Sequence, residues 1–317
     1  MSTSGVSELS TTTLEIITEA LELLGVLGEG ESPTTDQVTS SKRTLNNLIK
    51  TLQADNFNLF ARQNMYVFVN TDNREYELDY GSSVRFTTSY NTYATSAAAV
   101  ATATSVTIAD PTGISASDKI CIRLDDGTAH WSTVSTVVST TVSFSDALPD
   151  DAASGAVVHT YTTQGKRPKK VLEGYYRTYN SATDFTDVPL FLEGMSYYNQ
   201  FSAKATTGQT NTLYFNPQRN TSFLSVWPTG TRDGDILFLV VQRDLDTFNL
   251  NTDEPDYPSE WFLPLSVMLA KHLAPKYGIP ANDYARIATH AAEMYQIARG
   301  FDAETYTSVY FSPTDGG

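Results

Sequence analysis

Cysteine, histidine and basic residues are scarce in this chain. Among the 317 residues the only cysteine is Cys121, so an internal disulfide is excluded, and we expect a cytosolic protein or part of an assembly built in the cytosol. Lys and Arg number 21 against 36 Asp and Glu, which leaves a net charge of −15. A protein that coats DNA needs a basic face, so that class is excluded, whereas a protein that surrounds DNA without gripping it is not.

Long apolar runs are also missing. A membrane-spanning helix needs about 20 apolar residues in succession, and no stretch reaches that length, so no membrane contact is expected. The opening MSTSGVSELSTTT lacks the basic and apolar regions of a secretory signal. Neither Cys121 nor any histidine has a second ligand at metal-binding spacing, so we expect no metal and no other cofactor. His272 is instead predicted to be a core residue and Cys121 an inert residue within a strand; the other histidines are His130, His159 and His290.

A pair of helices is predicted at the start of the chain. Thr12 with Glu15, and Thr34 with Gln37, have the spacing of capping boxes, and apolar residues follow each box at helical intervals. These signals predict a helical hairpin over residues 10–60. Its connector, GVLGEGE, contains two carboxylates, which a phosphate-binding loop would not place there, so it is predicted to be a helix–helix turn.

Strand patterns occupy the middle of the chain. β regions are predicted over 61–104 and 163–250, and between them the short, turn-divided strands of 105–162 indicate an inserted small β-barrel. Residues 66–80 have the pattern of a hairpin, and residues 91–105 have the composition of a linker. The continuous apolar run ILFLVVQ is predicted to be a central strand.

The stretch DYPSEWFLPLSVMLAKHLAPKYG, residues 256–278, has almost no polar face. A helix that is apolar all round is buried all round, so its neighbours are expected in this chain, in another copy, or in both. Pro264 inside the stretch predicts a kink, or else a side chain or water that compensates for its missing N–H, and Gly278 predicts the end of the helix. The next helix is predicted to run to residue 301, with an apolar face formed by Ile287, Ala291, Met294 and Ile297–Ala298.

Helical segments therefore open and close the chain around a β region. A second helical hairpin is predicted over 256–302 and an extended tail over 303–317. The predicted fold class is α+β: a discontinuous helical bundle from both chain ends, with an inserted all-β region that itself carries a small β-barrel insertion.

Four stretches carry a resemblance to a known family. They are ALELLGVLGEGESPTTDQ…LNNLIKTLQADNFNL, the closing pattern Pro-x-Glu-Trp, apolar helix and Leu-Ala-Pro-x-Tyr-Gly, ADPTGISASDKICIRLDDGTAHWSTV, and AKATTGQTNTLYFNPQRNTSFLSVWPT. In this order they resemble the head-to-tail adaptor proteins of short-tailed bacteriophages, also called packaged-DNA stabilisation or tail accessory proteins. The resemblance covers most of residues 14–311, although shorter members of that family lack the long β middle.

The resemblance implies a structural, non-enzymatic virion protein at the head–tail junction, assembled in the host cytoplasm. Copies of the chain, implied as twelve, form a ring beneath the portal, extend the DNA channel, help to retain packaged DNA and offer a platform for tail attachment. The implied partners are the portal ring, the tail nozzle and other tail proteins, and further copies of the chain. Double-stranded DNA is enclosed without sequence-specific binding.

The resemblance also implies where contacts are made. The C-terminal tail is expected to pair with the portal through residues whose alternation suits strand addition, namely Thr305, Tyr306, Val309, Tyr310 and Phe311. A disordered terminus is the alternative interpretation of the tail. Trp261 and Tyr277 are candidates for contacts between subunits, because aromatic residues anchor interfaces, and they could equally belong to the core of one subunit.

Basic residues cluster once along the chain. Five of the 21 lie within 12 positions: Lys166, Arg167, Lys169, Lys170 and Arg177. One interpretation is a contact with an acidic protein surface or with phosphate, and the other is a solvated loop that enters a strand. The net charge favours protein over DNA as the partner.

Signals for catalysis are weak. Glu29 with Glu31, or Asp125 with Asp126, could form the carboxylate pair of a muramidase-like glycosidase, but Asp125-Asp126-Gly127 has the sequence of a hairpin turn. The alternative function is a virion-associated protein that binds or cleaves glycan or peptidoglycan, with Trp131 of the inserted barrel stacking on sugars. The alternation of Trp131 with polar neighbours favours a core position instead. A tail-tube or receptor-binding role is a third option, which the helical chain ends disfavour.

Overall fold

The computed structural model describes residues 9–54, 59–79 and 81–301, which fold into two compact units. One unit combines the chain up to Ala61 with the chain from Asp244 onward, and the other comprises Arg62–Arg243. Long helices make up the first unit and β-sheets dominate the second, so the predicted α+β class is confirmed.

Five α-helices occur among the described residues: α1 (Thr13–Leu23), α2 (Thr35–Ala54), α3 (Met195–Tyr198), α4 (Phe262–Leu273) and α5 (Ala281–Phe301). Both predicted capping boxes are present. The Thr12 Oγ1 accepts a hydrogen bond from the Glu15 N–H at 3.3 Å, and Glu15 Oε2 accepts one from the Thr12 N–H at 2.7 Å. Thr34 and Gln37 make the same two bonds before α2. Gly25 follows α1 with a φ of +68°, which glycine adopts without strain.

The apolar stretch near the C-terminus folds as α4 between two short 3-10 turns, Ser259–Trp261 and Ala274–Tyr277. Gly278, whose backbone lies in the left-handed region, ends this helical stretch, as predicted. Pro264 is the third residue of α4 and lies in its first turn, where a backbone N–H has no acceptor within the helix. The kink predicted at Pro264 is therefore not required.

Helix α4 is buried on almost all sides within its own unit. Its buried residues are Pro264, Leu265, Ser266, Val267, Met268, Leu269, Ala270 and Leu273. Leu263 differs, because 47% of it is exposed. The neighbours of α4 are α1, α2 and α5, and all four helices contribute to one hydrophobic cluster. The apolar pattern is thus explained by contacts inside this chain.

Helix α5 presents a narrower apolar face than its sequence suggests. Ile287, Ala291 and Ala298 are buried against the cluster, and Met294 is partly buried there. Ile297, which the sequence places on the same face, is 65% exposed. The predicted face is wrong at this position, because residues 297 and 298 are neighbours about 100° apart on the helix and only Ala298 points inward.

The second unit contains fifteen strands among the described residues: β1 (Arg62–Phe68), β2 (Glu75–Glu77), β3 (Phe86–Thr87), β4 (Asn91–Ala94), β5 (Ser105–Thr107), β6 (Lys119–Arg123), β7 (Ala129–Val138), β8 (Thr141–Phe144), β9 (Val157–Tyr161), β10 (Lys170–Tyr179), β11 (Phe185–Pro189), β12 (Phe191–Leu192), β13 (Thr212–Pro217), β14 (Ser222–Trp227) and β15 (Ile236–Gln242). They form a five-stranded sheet in the order β11-β10-β15-β1-β3 and a four-stranded sheet in the order β12-β13-β14-β2. The run ILFLVVQ is β15, the middle strand, as predicted. Its inward side chains share a core with those of the four-stranded sheet.

The hairpin predicted over residues 66–80 is wrong. A turn is present, since the Asn73 N–H donates to the Asn70 carbonyl at 3.2 Å. The strands on either side of it belong to different sheets, because β1 pairs with β15 and β3 whereas β2 pairs with β14. Alternation identified both strands, but it carries no information about which strand each one pairs with.

A third sheet is inserted between β3 and β10. Its six strands have the order β4-β9-β6-β7-β8-β5, and an antiparallel bridge between Thr95 and Ile108 links the ends of the two outer strands. The linker prediction for residues 91–105 is wrong at its start, because β4 pairs with β9 and the insertion begins at Asn91. The small residues of that stretch suit the turns that follow β4.

A buried ion pair connects the inserted sheet to the rest of the second unit. Arg123, at the end of β6, donates to Asp235 Oδ1 at 2.9 Å and to the Tyr179 carbonyl at 2.6 Å. Asp235 also accepts from the Tyr176 hydroxyl at 3.1 Å and from the Tyr179 N–H. Burial raises the pKa of Asp235, and the charge of Arg123 opposes that rise only in part.

Candidate functional site

The carboxylates that were considered for catalysis lie in turns. Asp125 and Asp126 occupy the turn between β6 and β7, where the Gly127 N–H donates to the Leu124 carbonyl at 3.1 Å. Asp126 accepts from the Thr128 hydroxyl and N–H, which lowers its pKa. The hairpin turn predicted there is confirmed. Asp126 therefore lacks the raised pKa that a general acid needs.

The connector between α1 and α2 is also a structural turn. Glu31 Oε2 accepts from the Gly28 N–H at 2.9 Å, and the Glu31 N–H donates to the Gly28 carbonyl at 3.0 Å. Gly30 has a φ of +79°. Glu31 therefore closes its own loop, which agrees with the helix–helix turn predicted from the sequence.

The described histidines and Cys121 do not lie together in a reactive site. His159 is buried, and its burial lowers its pKa to about 3, so the ring is neutral at pH 7. Cys121 is buried in β6, and burial raises the pKa of its thiol, which agrees with the inert strand residue that the sequence predicts. His272 is exposed, so its predicted core position is wrong. His130 contacts the Asp146 carbonyl at 3.0 Å, and His290 is half-buried.

Two further kinds of site are absent from the described residues. No group of three or more His, Cys, Asp and Glu side chains within residues 9–54, 59–79 and 81–301 is arranged to hold a metal ion. No helix in the same ranges is long and apolar enough to cross a membrane.

The basic cluster is divided by the fold. Arg177 forms a two-pronged ion pair with Asp187 of the neighbouring strand β11, with N–O distances of 2.8 and 2.7 Å. Lys170 starts strand β10 and Arg177 lies seven residues further along it, so roughly 23 Å separates them at about 3.3 Å per residue. Arg177 is thus removed from the predicted patch, which keeps Lys166, Arg167, Lys169 and Lys170.

Trp131 is part of a packed aromatic cluster rather than an exposed sugar platform. Its ring lies 4.9 Å from Phe68 and 6.1 Å from Tyr161, and the Arg85 guanidinium lies 5.6 Å from its centre. Trp131 is partly buried against the hydrophobic cluster that contains Phe68 and Tyr161, so the core position that the sequence favours is confirmed in part. These neighbours leave Trp131 only partly exposed, so the stacking proposed for it in the glycan alternative gains no support.

The two aromatic candidates for a subunit interface differ in exposure. Trp261 is only 2% exposed and packs against Phe60, Tyr257 and Tyr295, so it is a core residue of its own unit. Tyr277 is half-buried and packs against the same cluster. The five portal-binding candidates lie outside the described residues: Thr305, Tyr306, Val309, Tyr310 and Phe311.

Two exposed apolar surfaces stand out, one in each unit. On the helical unit, Ile297 and Tyr284 of α5 and Leu263 of α4 are exposed. We call these three residues the helical surface, although Tyr284 and Ile297 lie roughly 20 Å apart along α5 and on different faces of it, so they are not one continuous patch. Beside α5, a groove of about 320 Å³ between α2, α4 and α5 has Leu48, Leu52, Met268, Ala291 and Tyr295 among its lining residues.

The second surface lies on the β unit and was missed at the level of sequence. Phe191 is 63% and Met195 58% exposed, and Leu192 and Tyr197 are exposed beside them. We call these four residues the β surface. The signal was present, because four large apolar residues fall within seven positions. Their spacing fits neither the two-residue period of a strand nor the 3.6-residue period of a helix, so a periodicity pattern does not reveal them.

Comparison with known proteins adds no identification. The sequence matches no protein-family model, and a search of curated proteins finds none that is similar to it.

Proposed function

We propose that this chain is a ring-forming head-to-tail adaptor of a short-tailed bacteriophage. It docks under the portal, extends the DNA channel, provides the platform for tail attachment and helps to retain packaged DNA. The observation that carries the proposal is the role of residues 256–278, the segment with the closing pattern of that family. It supplies the central helix α4, against which α1 and α2 from the other end of the chain pack. We take these helices to be the discontinuous bundle that the sequence pattern predicts.

The exposed surfaces support a ring. A ring is built from head-to-tail contacts, which require two different patches on every copy. This chain exposes large apolar side chains in both units, at the helical surface and at the β surface, and we take them to supply the two patches. Ring closure would bury both in every subunit.

The charge supports a channel that encloses DNA without holding it. A net charge of −15 repels phosphate, so DNA passing through an acidic ring does not adhere to its wall. We expect the four remaining basic residues of the cluster, Lys166, Arg167, Lys169 and Lys170, to contact an acidic protein partner in the tail or portal. The ring belongs to the virion and is assembled in the host cytoplasm.

The proposed function is tested by measuring mass with and without the portal. The purified chain, alone and mixed with portal rings of the same phage, is analysed by light scattering. We expect a monomer that becomes a ring-sized complex on the portal. Deletion of residues 303–317 is expected to abolish the complex, because that segment is the proposed portal contact.

A full-length variant distinguishes loss of the portal contact from the effect of shortening the chain. Replacing Tyr306, Tyr310 and Phe311 with serine keeps the length of the tail and is expected to weaken the complex as the deletion does, because large apolar anchors are lost. A chain that ignores the portal with its tail intact would overturn the proposal.

The helical surface gives a second prediction. Replacing Ile297 with lysine is expected to weaken ring formation on the portal by roughly tenfold or more, since an ammonium group would be buried between subunits. The free energy of unfolding should change little, because Ile297 is 65% exposed. Val138→Lys is the matched control, at a residue 68% exposed in β7. Equal effects of the two variants on assembly would contradict the assignment.

A further inference from the structure

A polar cavity lies within the second unit, where the chain enters and leaves the inserted sheet. Its volume is about 210 Å³. One wall is the segment 87–91, which leads from β3 into β4, and the facing wall is the segment 160–163 at the end of β9. Gly113 and Asp118 of the inserted sheet complete the lining.

The lining is rich in oxygen and has one charged group. Six of its side chains are Ser or Thr hydroxyls, two are tyrosines and one is the Asn91 amide. Asp118 is the carboxylate, and no Lys, Arg or His is among the lining residues. Such a cavity attracts positive charge and offers the ligand atoms that hard cations prefer.

Asp118 is buried without a complete set of partners. It is 2% exposed, and its Oδ2 accepts from the Ser115 N–H at 2.7 Å. Its Oδ1 is buried and has no hydrogen-bond partner in the described part of the chain. The Thr160 hydroxyl is also buried, and its neighbour is the Tyr93 hydroxyl. A buried carboxylate is costly unless it is paired or coordinates a metal, and orphaned buried oxygens mark places where an ion or water belongs.

We propose that this cavity binds a hard divalent cation of the Ca²⁺ class, with Asp118 as its charged ligand. Thr160 and Asn91 supply neutral oxygens, and water completes the coordination. Ca²⁺ accepts six to eight oxygen ligands in irregular geometry, whereas Mg²⁺ demands a near-ideal octahedron. With one carboxylate the dissociation constant is expected on the order of 10⁻⁴–10⁻³ M. The bound ion would join the two segments that carry the inserted sheet, independently of the adaptor function.

Terbium luminescence tests the site directly in the full-length protein. Tb³⁺ replaces Ca²⁺ at oxygen sites, and Tyr90 and Tyr161 line the cavity, where they can sensitise its emission. We expect tyrosine-excited emission that saturates with TbCl₃ and is displaced by CaCl₂. We also expect millimolar CaCl₂ to raise the melting temperature.

Two variants and one control decide the outcome. Asp118→Asn should weaken Tb³⁺ binding by roughly tenfold or more and abolish the CaCl₂ stabilisation, since it removes the charged ligand. Thr160→Val keeps the carboxylate and the side-chain shape and should weaken binding less. Asp110→Asn, at an exposed carboxylate that does not line the cavity, should bind like the wild type.

Three results would overturn the proposal. Emission that Asp118→Asn and Thr160→Val leave unchanged would mean adventitious binding to the acidic surface. An equal loss of Tb³⁺ emission in Asp110→Asn would also mean adventitious binding to the acidic surface. A wild-type protein without saturable emission or CaCl₂ stabilisation would mean that water alone fills the cavity. Circular dichroism of each variant is measured first, and only a variant with the wild-type spectrum is used in the comparison.

Discussion

Asp235→Ala is expected to lower the free energy of unfolding of the second unit by about 3–5 kcal/mol. The change leaves the Arg123 guanidinium buried without its counter-ion, and it removes the acceptor of the Tyr176 hydroxyl and of the Tyr179 N–H. Urea unfolding followed by hydrogen-exchange mass spectrometry measures the loss separately for the peptides of each unit. The protection of β6, β10 and β15 should fall together, because the ion pair joins them.

Asp187→Ala is the matched control, because it also removes the carboxylate from an arginine of the same unit. The Arg177–Asp187 pair is more exposed than Arg123–Asp235, so its loss is expected to cost about 1 kcal/mol or less. If Asp235→Ala costs no more than Asp187→Ala, the buried pair does not hold the inserted sheet as we describe.

The cost of Asp235→Ala comes mainly from the stranded arginine. Burial raises the pKa of Asp235 in spite of Arg123, so ionising this carboxyl opposes folding. The protonated Asp235 carboxyl contributes stability at pH values below its pKa in the unfolded chain. That contribution is lost as the pH rises through its higher pKa in the folded protein. Arg123→Met combined with Asp235→Leu is therefore expected to lose much less stability than Asp235→Ala alone. Losses that simply add would contradict this account.

Local signals in the sequence predicted the parts of the fold that local chemistry determines. The capping boxes at Thr12 and Thr34, the glycine stops at Gly25 and Gly278, and the central strand β15 all depend on residues within one turn or one strand. The failures concern partners that are distant in sequence. Strands β1 and β2 have clear alternation, but their pairing with β15 and β14 is decided by packing across the whole unit.

The functional surfaces were harder to predict than the fold. Trp261 was a reasonable interface candidate by residue type, yet its place against Tyr257 and Tyr295 is set by tertiary packing. Arg177 was grouped with the lysines by proximity in sequence, and strand geometry separates it from them. The cavity at Asp118 was not anticipated, because its oxygens come from three segments that only the fold brings together.

Leu265→Ala in α4 is expected to lower the free energy of unfolding of the helical unit by about 3–5 kcal/mol. Leu265 is fully buried, and α4 contacts α1, α2 and α5, so the missing methyl groups leave a cavity that none of the three neighbours can fill without moving. Urea unfolding followed by the helical signal in circular dichroism measures the loss. Hydrogen exchange of α1, α2 and α5 should increase with that of α4.

Leu263→Ala provides the control on the same helix, two residues away, with the same atoms removed. Leu263 is 47% exposed, so its truncation should cost about 0.5–1 kcal/mol and leave the monomer folded. It belongs to the helical surface, and its loss should instead weaken ring formation on the portal. A large loss of monomer stability in Leu263→Ala, or a small one in Leu265→Ala, would mean that α4 presents a different face to its neighbours. The pair of variants thus separates the two reasons for an apolar helix, burial within one chain and contact with the next.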